Sequence, residues 1–385
     1  MRVLFFANRM PDLCGAFLHD IDLAVEFQKR GHSVSFLTIE KPKEGYSGGI
    51  YRGFRFMHYS AGGSLLDTSE IWICPHAPVF PHVRKINSRG YNRPIVMTCH
   101  FDGRYNYITA LASDKWSEMV FFINATMEAS FRRNVPEFPR SIVRTAVIRP
   151  IMHESKLIMN SPPDGDAITL VNANVNKGVH QFIELAKRMP NRKFLGVRPY
   201  YGELWLPPAP PNIEWIPFDD DVRNILKRTR ILLMPSLYES FGRIAVEAMY
   251  NGLPVLYSKP DPDSKAPSGT TEGMEEWILP AGIPCMRDTP EEWVAAIESL
   301  DNADTYSARQ TLVKDHVRSL NLFTEASRIS DMIEVFHREH PVSIMPSSTS
   351  TVPISKPDAS QPGVLHPPPG TARIGFSSGR LRIQR

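Results

Sequence analysis

Glu239 and Glu247 stand eight residues apart around Ser240-Phe241-Gly242-Arg243, directly after the apolar run Ile231-Leu232-Leu233-Met234. The pattern reads as a strand, a loop and a helix that starts near Gly242. In open α/β sheets, loops at the carboxyl ends of parallel strands bind ligands, and a helix starting there turns free N–H groups and its positive dipole end toward the spot. Such a place suits a diphosphate. Gly242 lets the backbone approach phosphate oxygens closely, and Ser240 is expected to cap the helix. The two carboxylates do not grip an anion; they suit hydrogen bonds from sugar hydroxyls, one carboxylate facing each sugar of a ligand with a diphosphate in between.

A second polar group lies earlier, in Asn172-Ala173-Asn174-Val175-Asn176-Lys177-Gly178. Lys177 falls between a strand and a helix, so its ammonium is a compact positive charge within reach of the same diphosphate. His100 closes the run Ile95–Cys99 and is followed by Phe101-Asp102-Gly103, while the loop from Asn8 to Gly15 follows the first apolar run and borders the same cleft. Tyr200, in a Pro/Gly loop after another run, is a candidate for stacking on a base.

Positioning these groups takes two sheets. Apolar runs at 2–7, 33–39, 54–59, 71–74, 95–99, 119–123 and 145–148 read as buried parallel strands, with a helix over 21–31 between the first two. The turn-rich segment 160–166 marks a linker, after which strands at 167–171, 193–197, 213–216, 231–234 and 254–257 alternate with helices near 178–188, 221–228, 242–251 and 290–300. This predicts an α/β fold of two doubly wound, Rossmann-like domains facing each other across a cleft, one over 1–155 and one over 165–320. An amphipathic helix over 321–340 closes the folded part. The tail 341–385, rich in proline and serine with a basic end, is expected to stay disordered.

The composition fits. At 385 residues the chain exceeds what one core usually holds, and 44 basic against 41 acidic residues leave +3, too balanced to mark a nucleic-acid binder. Four scattered cysteines fit neither a zinc site nor a disulfide framework, and no run is long enough to span a membrane, so a cytoplasmic protein is expected, with peripheral membrane contact left open. Basic residues gather at Arg84, Lys85, Arg89 and Arg93, and at Arg132, Arg133, Arg140, Arg144 and Arg149. They could guide an anionic acceptor, a membrane surface or nucleic acid, although solvated surface charge is the simpler reading. The Asp-x-Asp pairs at 164–166, 219–221 and 261–263 sit among turn formers or at a helix start, which gives them structural rather than metal-binding roles.

The string PSLYESFGRIAVEAMYNGLPV at 235–255 resembles the E-x7-E signature of the retaining glycosyltransferases of family 4, whose fold is the two-Rossmann GT-B arrangement. The resemblance covers most of 167–282 and, more loosely, 1–150. It implies that Glu239 holds hydroxyls of the donor sugar and Glu247 the ribose, with Ser240, Phe241 and Gly242 among the donor-binding residues. It also implies that Lys177 neutralises the leaving nucleotide and that His100 faces the donor sugar. The family often has an arginine where this chain has Asn172, so Arg243 or Arg198 is expected to supply the second cation. This chain lacks the double glycine that the family usually has near Gly15. The implied reaction moves a hexose from a UDP- or GDP-sugar to a hydroxyl acceptor, with no metal and no cofactor beyond the nucleotide-sugar. A sugar-nucleotide 2-epimerase and a non-catalytic sugar-nucleotide binding protein are the rival readings.

Overall fold

The computed structural model describes residues 1–10, 14–41, 49–75, 79–100, 116–134, 143–199, 206–260 and 271–342. The first half contributes strands β1 (Arg2–Ala7), β2 (Ser33–Thr38), β3 (Ile50–Tyr51), β4 (Phe54–His58), β5 (Ile71–Pro75), β6 (Ile95–Cys99), β7 (Glu118–Phe122) and β8 (Val143–Val147). The second contributes β9 (Ala167–Leu170), β10 (Phe194–Val197), β11 (Ile213–Ile216), β12 (Thr229–Met234), β13 (Val255–Ser258) and β14 (Ile283–Cys285). They form an eight-stranded sheet, β3-β4-β2-β1-β5-β6-β7-β8, and a six-stranded sheet, β11-β10-β9-β12-β13-β14. The pairings are parallel except β3 with β4, a small antiparallel edge hairpin.

Helices cover both faces of each sheet, which is why the strands are continuously apolar. Side chains still alternate: Val3, Phe5 and Ala7 of β1 enter one core, while Leu4 and Phe6 enter the other. In β12, Ile231 and Leu233 enter the outer core of the second sheet, whereas Leu232 and Met234 join the apolar cluster that also holds Phe5 and Phe121. One continuous core therefore links the inner sides of the two sheets.

Several elements depart from expectation. The first helix runs Gly15–Lys29, six residues earlier than predicted at its start, because Phe17, Ile21 and Ala24 share its buried face. Two very short strands, β3 and β14, and the largely polar helix Ala303–Ser319 were not anticipated; that helix buries Val313 and Val317 against Arg243–Tyr250. The closing element is a 3-10 turn, Leu322–Thr324, followed by the helix Glu325–Glu339. This last helix returns to the first sheet and packs on Gly15–Lys29, where Arg30 meets Asp331 at 2.6 Å and Glu334 at 3.2 Å. The tail from 343 onward lies outside the described residues. Among the described residues, no helix is long and apolar enough to cross a membrane.

Candidate active site

The carboxyl ends of the strands of both sheets face one cavity of ≈ 670 Å³, a size suited to a small-molecule ligand. On the second-sheet side, two glycines decide its shape. Gly178 adopts φ +82° at the start of the helix Val179–Arg188, and a Cβ there would lie 2.2 Å from the Pro235 carbonyl oxygen. That close approach, together with the Leu237 N–H donating to Asn176 O at 2.8 Å, seats the Lys177 loop against the loop after β12. Lys177 Nζ consequently donates to Glu239 Oε1 at 2.5 Å, and the Ser236 hydroxyl donates to the same oxygen at 2.8 Å. Glu239 is 5% exposed, so its charge is held by specific partners rather than by bulk water.

Gly242 has φ +74° and precedes the helix Arg243–Tyr250; a Cβ would meet Met274 Sδ at 2.7 Å. The expected Ser240 cap is not formed, because Gly242 itself occupies the cap position without a side-chain bond. Ser240 instead offers its carbonyl to Asn124 Nδ2 at 2.7 Å, a link from the end of β7 across to the second sheet. Phe241 lines the cavity but serves the core as well: its ring stacks on Trp277 at 4.9 Å, and its carbonyl accepts the indole N–H at 2.7 Å.

Glu247 lines the cavity one helical turn further on, and burial pushes its carboxyl up to about 7, with Arg243 opposing and Asp22 reinforcing the rise. Arg243 crosses toward the first half, donating from Nη1 to Ile151 O at 3.0 Å, with Nε 3.8 Å from Glu247 and Nη2 3.8 Å from Asp22. Asn172 has φ +60° and is buried, and neither polar atom of its amide has a hydrogen-bond partner among the described residues. Both atoms therefore remain available to a ligand in the cavity it lines.

The opposite wall carries Gly15 and His100. Gly15 is the first residue of its helix, and a Cβ there would touch Arg243 Cδ at 3.4 Å. The His100 ring meets the buried His19 ring edge-on at 5.1 Å. His19, Asp20 and His100 bring potential ligand atoms within 4.8 Å of one another, the kind of trio that could hold a metal. The chemistry of His19 does not fit that role. Its Nδ1 accepts the Ile151 N–H at 3.2 Å, so in the neutral ring Nε2 carries the proton and has no lone pair for a cation. Burial lowers His19 to about 3 and raises Asp20 well above the carboxylate range, which makes both neutral groups.

Other predicted residues fall elsewhere. Arg198, at the end of β10, is exposed and is not among the cavity-lining residues, because the strand end turns it outward. Tyr200, Asp102 and the Asp261–Asp263 pair lie outside the described residues. Asp221 caps its helix by accepting from Arg223 N at 3.1 Å, and Asp166 pairs with Lys193 at 2.7 Å. Much of the basic clusters is engaged internally: Arg84 with Glu118 at 2.9 Å, Arg93 with Asp67 O at 2.7 Å, Arg132 with Glu128 at 2.8 Å, Arg144 with Glu339, and Arg149 with Leu320 O at 2.8 Å. Arg140 lies outside the described residues. Sequence reasoning missed Asn124, Asp22 and Glu276, whose carboxylate accepts from Ala125 N at 3.0 Å and Thr126 N at 2.6 Å across the cleft.

Two mainly parallel sheets opposed across a cleft match the GT-B fold of solved glycosyltransferase structures. Residues 208–300, which include Glu239, Gly242 and Glu247, match the family described as Glycosyl transferases group 1. The D-inositol 3-phosphate glycosyltransferase of Corynebacterium kroppenstedtii is 28% identical over 148 residues, 38% of this chain and 29% of that protein. The aligned part thus spans less than a third of that relative. Among solved structures, sucrose-phosphate synthase from Thermosynechococcus elongatus aligns with TM-score 0.65 at 14% identity, over 88% of this chain and 100% of that one. The Anabaena protein HepE, in complex with UDP and glucose, aligns with TM-score 0.64 at 15% identity, over 87% and 99%. At these identities the likeness concerns the fold.

Proposed function

We propose that the chain transfers a hexose from a UDP- or GDP-sugar to a hydroxyl acceptor with retention of anomeric configuration, as a member of glycosyltransferase family 4. The observation that carries this reading is the convergence of Lys177, Glu239, the Gly242 helix start and Glu247 on one side of the cavity. Lys177 is held by Glu239. When a diphosphate enters, the ammonium turns to its oxygens, joined by the free N–H groups at Gly242 and the helix dipole. Glu239, released, accepts from hydroxyls of the donor sugar, and Glu247 accepts from the ribose. Asn172 adds a neutral amide beside the phosphates, so the leaving charge rests on one side-chain cation and backbone dipoles, with no metal ion assigned a role.

In the reaction the anomeric C–O bond to the diphosphate breaks as the acceptor oxygen bonds to the same face. The acceptor proton passes to the departing phosphate oxygen. Stabilising that developing charge and holding both partners in place supply the acceleration. The Corynebacterium relative is a glycosyltransferase, which supports sugar transfer, and the UDP and glucose in the Anabaena complex support a nucleotide-sugar donor. The test is a panel of UDP-, GDP- and ADP-sugars read by thermal stabilisation and by release of free nucleotide, with the sugar recovered and checked for epimerisation. A stabilising donor whose turnover falls at least about a hundredfold in Glu239→Gln is expected. Wild-type turnover in that variant, or a 2-epimer formed without acceptor, overturns the reading.

A further inference from the structure

Asp22 belongs to no motif that drew attention to it, yet it is a crowded carboxylate in the cavity. It sits on the helix Gly15–Lys29, 2% exposed, and lines the cleft. Basic side chains converge on it from three other segments. Lys156 Nζ lies 2.8 Å from Oδ1 and His153 Nε2 3.5 Å from the same oxygen, both from the connection between the sheets. Arg52 Nη1, from the β3–β4 turn, lies 4.0 Å away, and Arg243 Nη2, from the first turn of the second-sheet helix, lies 3.8 Å from Oδ2. Arg243 is in turn shared: its Nε is 3.8 Å from Glu247 Oε1 while Nη1 is anchored on Ile151 O.

We propose that Asp22 is a positioning residue for the donor site, dividing Arg243 with Glu247 and thereby setting the pH range over which Glu247 is an anion able to accept the ribose hydroxyls. The inference rests on the ribose role given to Glu247 above. An ionised carboxylate accepts at both oxygens with charge assistance, whereas a protonated one spends an oxygen as a donor. Burial does most to raise the Glu247 carboxyl to about 7, while Arg243, 3.8 Å away, opposes the rise and Asp22, which draws on the same guanidinium, adds to it. The titratable and charged groups facing this balance are Arg243 on the helix of Glu247, Asp22 and His19 opposite, and Lys156, His153, Tyr51 and Arg52 around Asp22, with Asp220 drawing on Arg52 at 3.5 Å. His153 is kept neutral by burial, which leaves Lys156 and Arg52 as the charges that temper Asp22. A strut that merely joined the two halves would change stability without moving the titration of Glu247.

The experiment follows the side-chain carboxyl carbon of Glu247 by ¹³C NMR titration of the full chain, the signal being identified by its loss in Glu247→Gln. Asp22→Asn removes the negative charge and frees Arg243 for Glu247, so the midpoint moves down by about one pH unit, and below the wild-type midpoint UDP binds about tenfold tighter. Lys156→Met, at a side chain 44% exposed, leaves Asp22 less compensated and moves the midpoint up. An unchanged midpoint in Asp22→Asn overturns the inference; should that variant fail to fold, an unchanged midpoint in Lys156→Met does so. If the midpoints move but UDP affinity does not follow, Glu247 does not hold the ribose and the inference falls with that role. Absence of UDP binding at every pH removes UDP as the donor nucleotide, while the NMR midpoints still decide the electrostatic coupling.

Discussion

Replacing Lys177 by methionine leaves the Glu239 carboxylate, 5% exposed, with the Ser236 hydroxyl and no cation. Breaking a fully buried ion pair from one side costs about 3–5 kcal/mol, because the other charge stays desolvated. The Lys177 side chain is 24% exposed, against 6% for Glu239, so water screens part of the effect. A loss of about 2 kcal/mol is therefore expected for Lys177→Met. Glu239→Gln in the same chain removes the stranded charge, and the double variant should recover more than half of the loss, an interaction energy of about 1–2 kcal/mol in a double-mutant cycle. Urea denaturation of the wild type, both single variants and the double variant measures it. Turnover provides the contrast: all three variants should stay at least about a hundredfold below wild type, since the recovered stability does not restore the phosphate cation. A double variant no more stable than Lys177→Met, with strictly additive losses, refutes the coupling.

Gly242→Ala forces a Cβ into the left-handed region at φ +74° and to 2.7 Å from Met274 Sδ, so stability should fall by about 1–2 kcal/mol and UDP affinity with it. Calorimetry that finds both unchanged removes the proposed role of that helix start. His19 is lowered from 6.5 to about 3 by burial, so between those values the unfolded chain binds more protons than the folded one. The stability it contributes is complete above pH 6.5 and is lost as the pH falls toward 3. His19→Gln should flatten that acid limb by on the order of 2–3 kcal/mol at pH 4. Glu118 and Glu247, raised to about 7, act in the opposite direction but are common to both proteins, so the difference isolates His19.

Local chemistry was the legible part of this chain. The alternation of apolar runs and helical segments places both sheets, and the strand–glycine–helix spacing places Lys177, Glu239, Gly242 and Glu247 in the same cavity, because each signal spans fewer than about fifteen residues. The parts that escaped are joined over long distances. Asn124 and Ser240 are 116 residues apart, and Lys156 and Asp22 are 134 apart, so no spacing in the sequence announces either contact. Ser240 failed as a cap because a glycine in the left-handed region already fills that position. Arg198 was expected in the cleft from its place after a strand, but the strand end alone does not determine which way a side chain turns. The helix Ala303–Ser319 escaped because its buried stripe is too thin for a periodic signal.

The return of the last helix to the first sheet also bears on how the chain is made. Arg30 meets Asp331 301 residues later, so the helix that covers this face of Gly15–Lys29 is made long after it. At ribosomal rates of about 5–20 residues per second, that face waits roughly 15–60 s for its partner. The first sheet can form early, but its apolar seam stays open to water and to neighbouring nascent chains until the final helix has emerged. A chain truncated before Glu325 would keep the seam open permanently, so truncation should reduce soluble yield even with every cavity residue present.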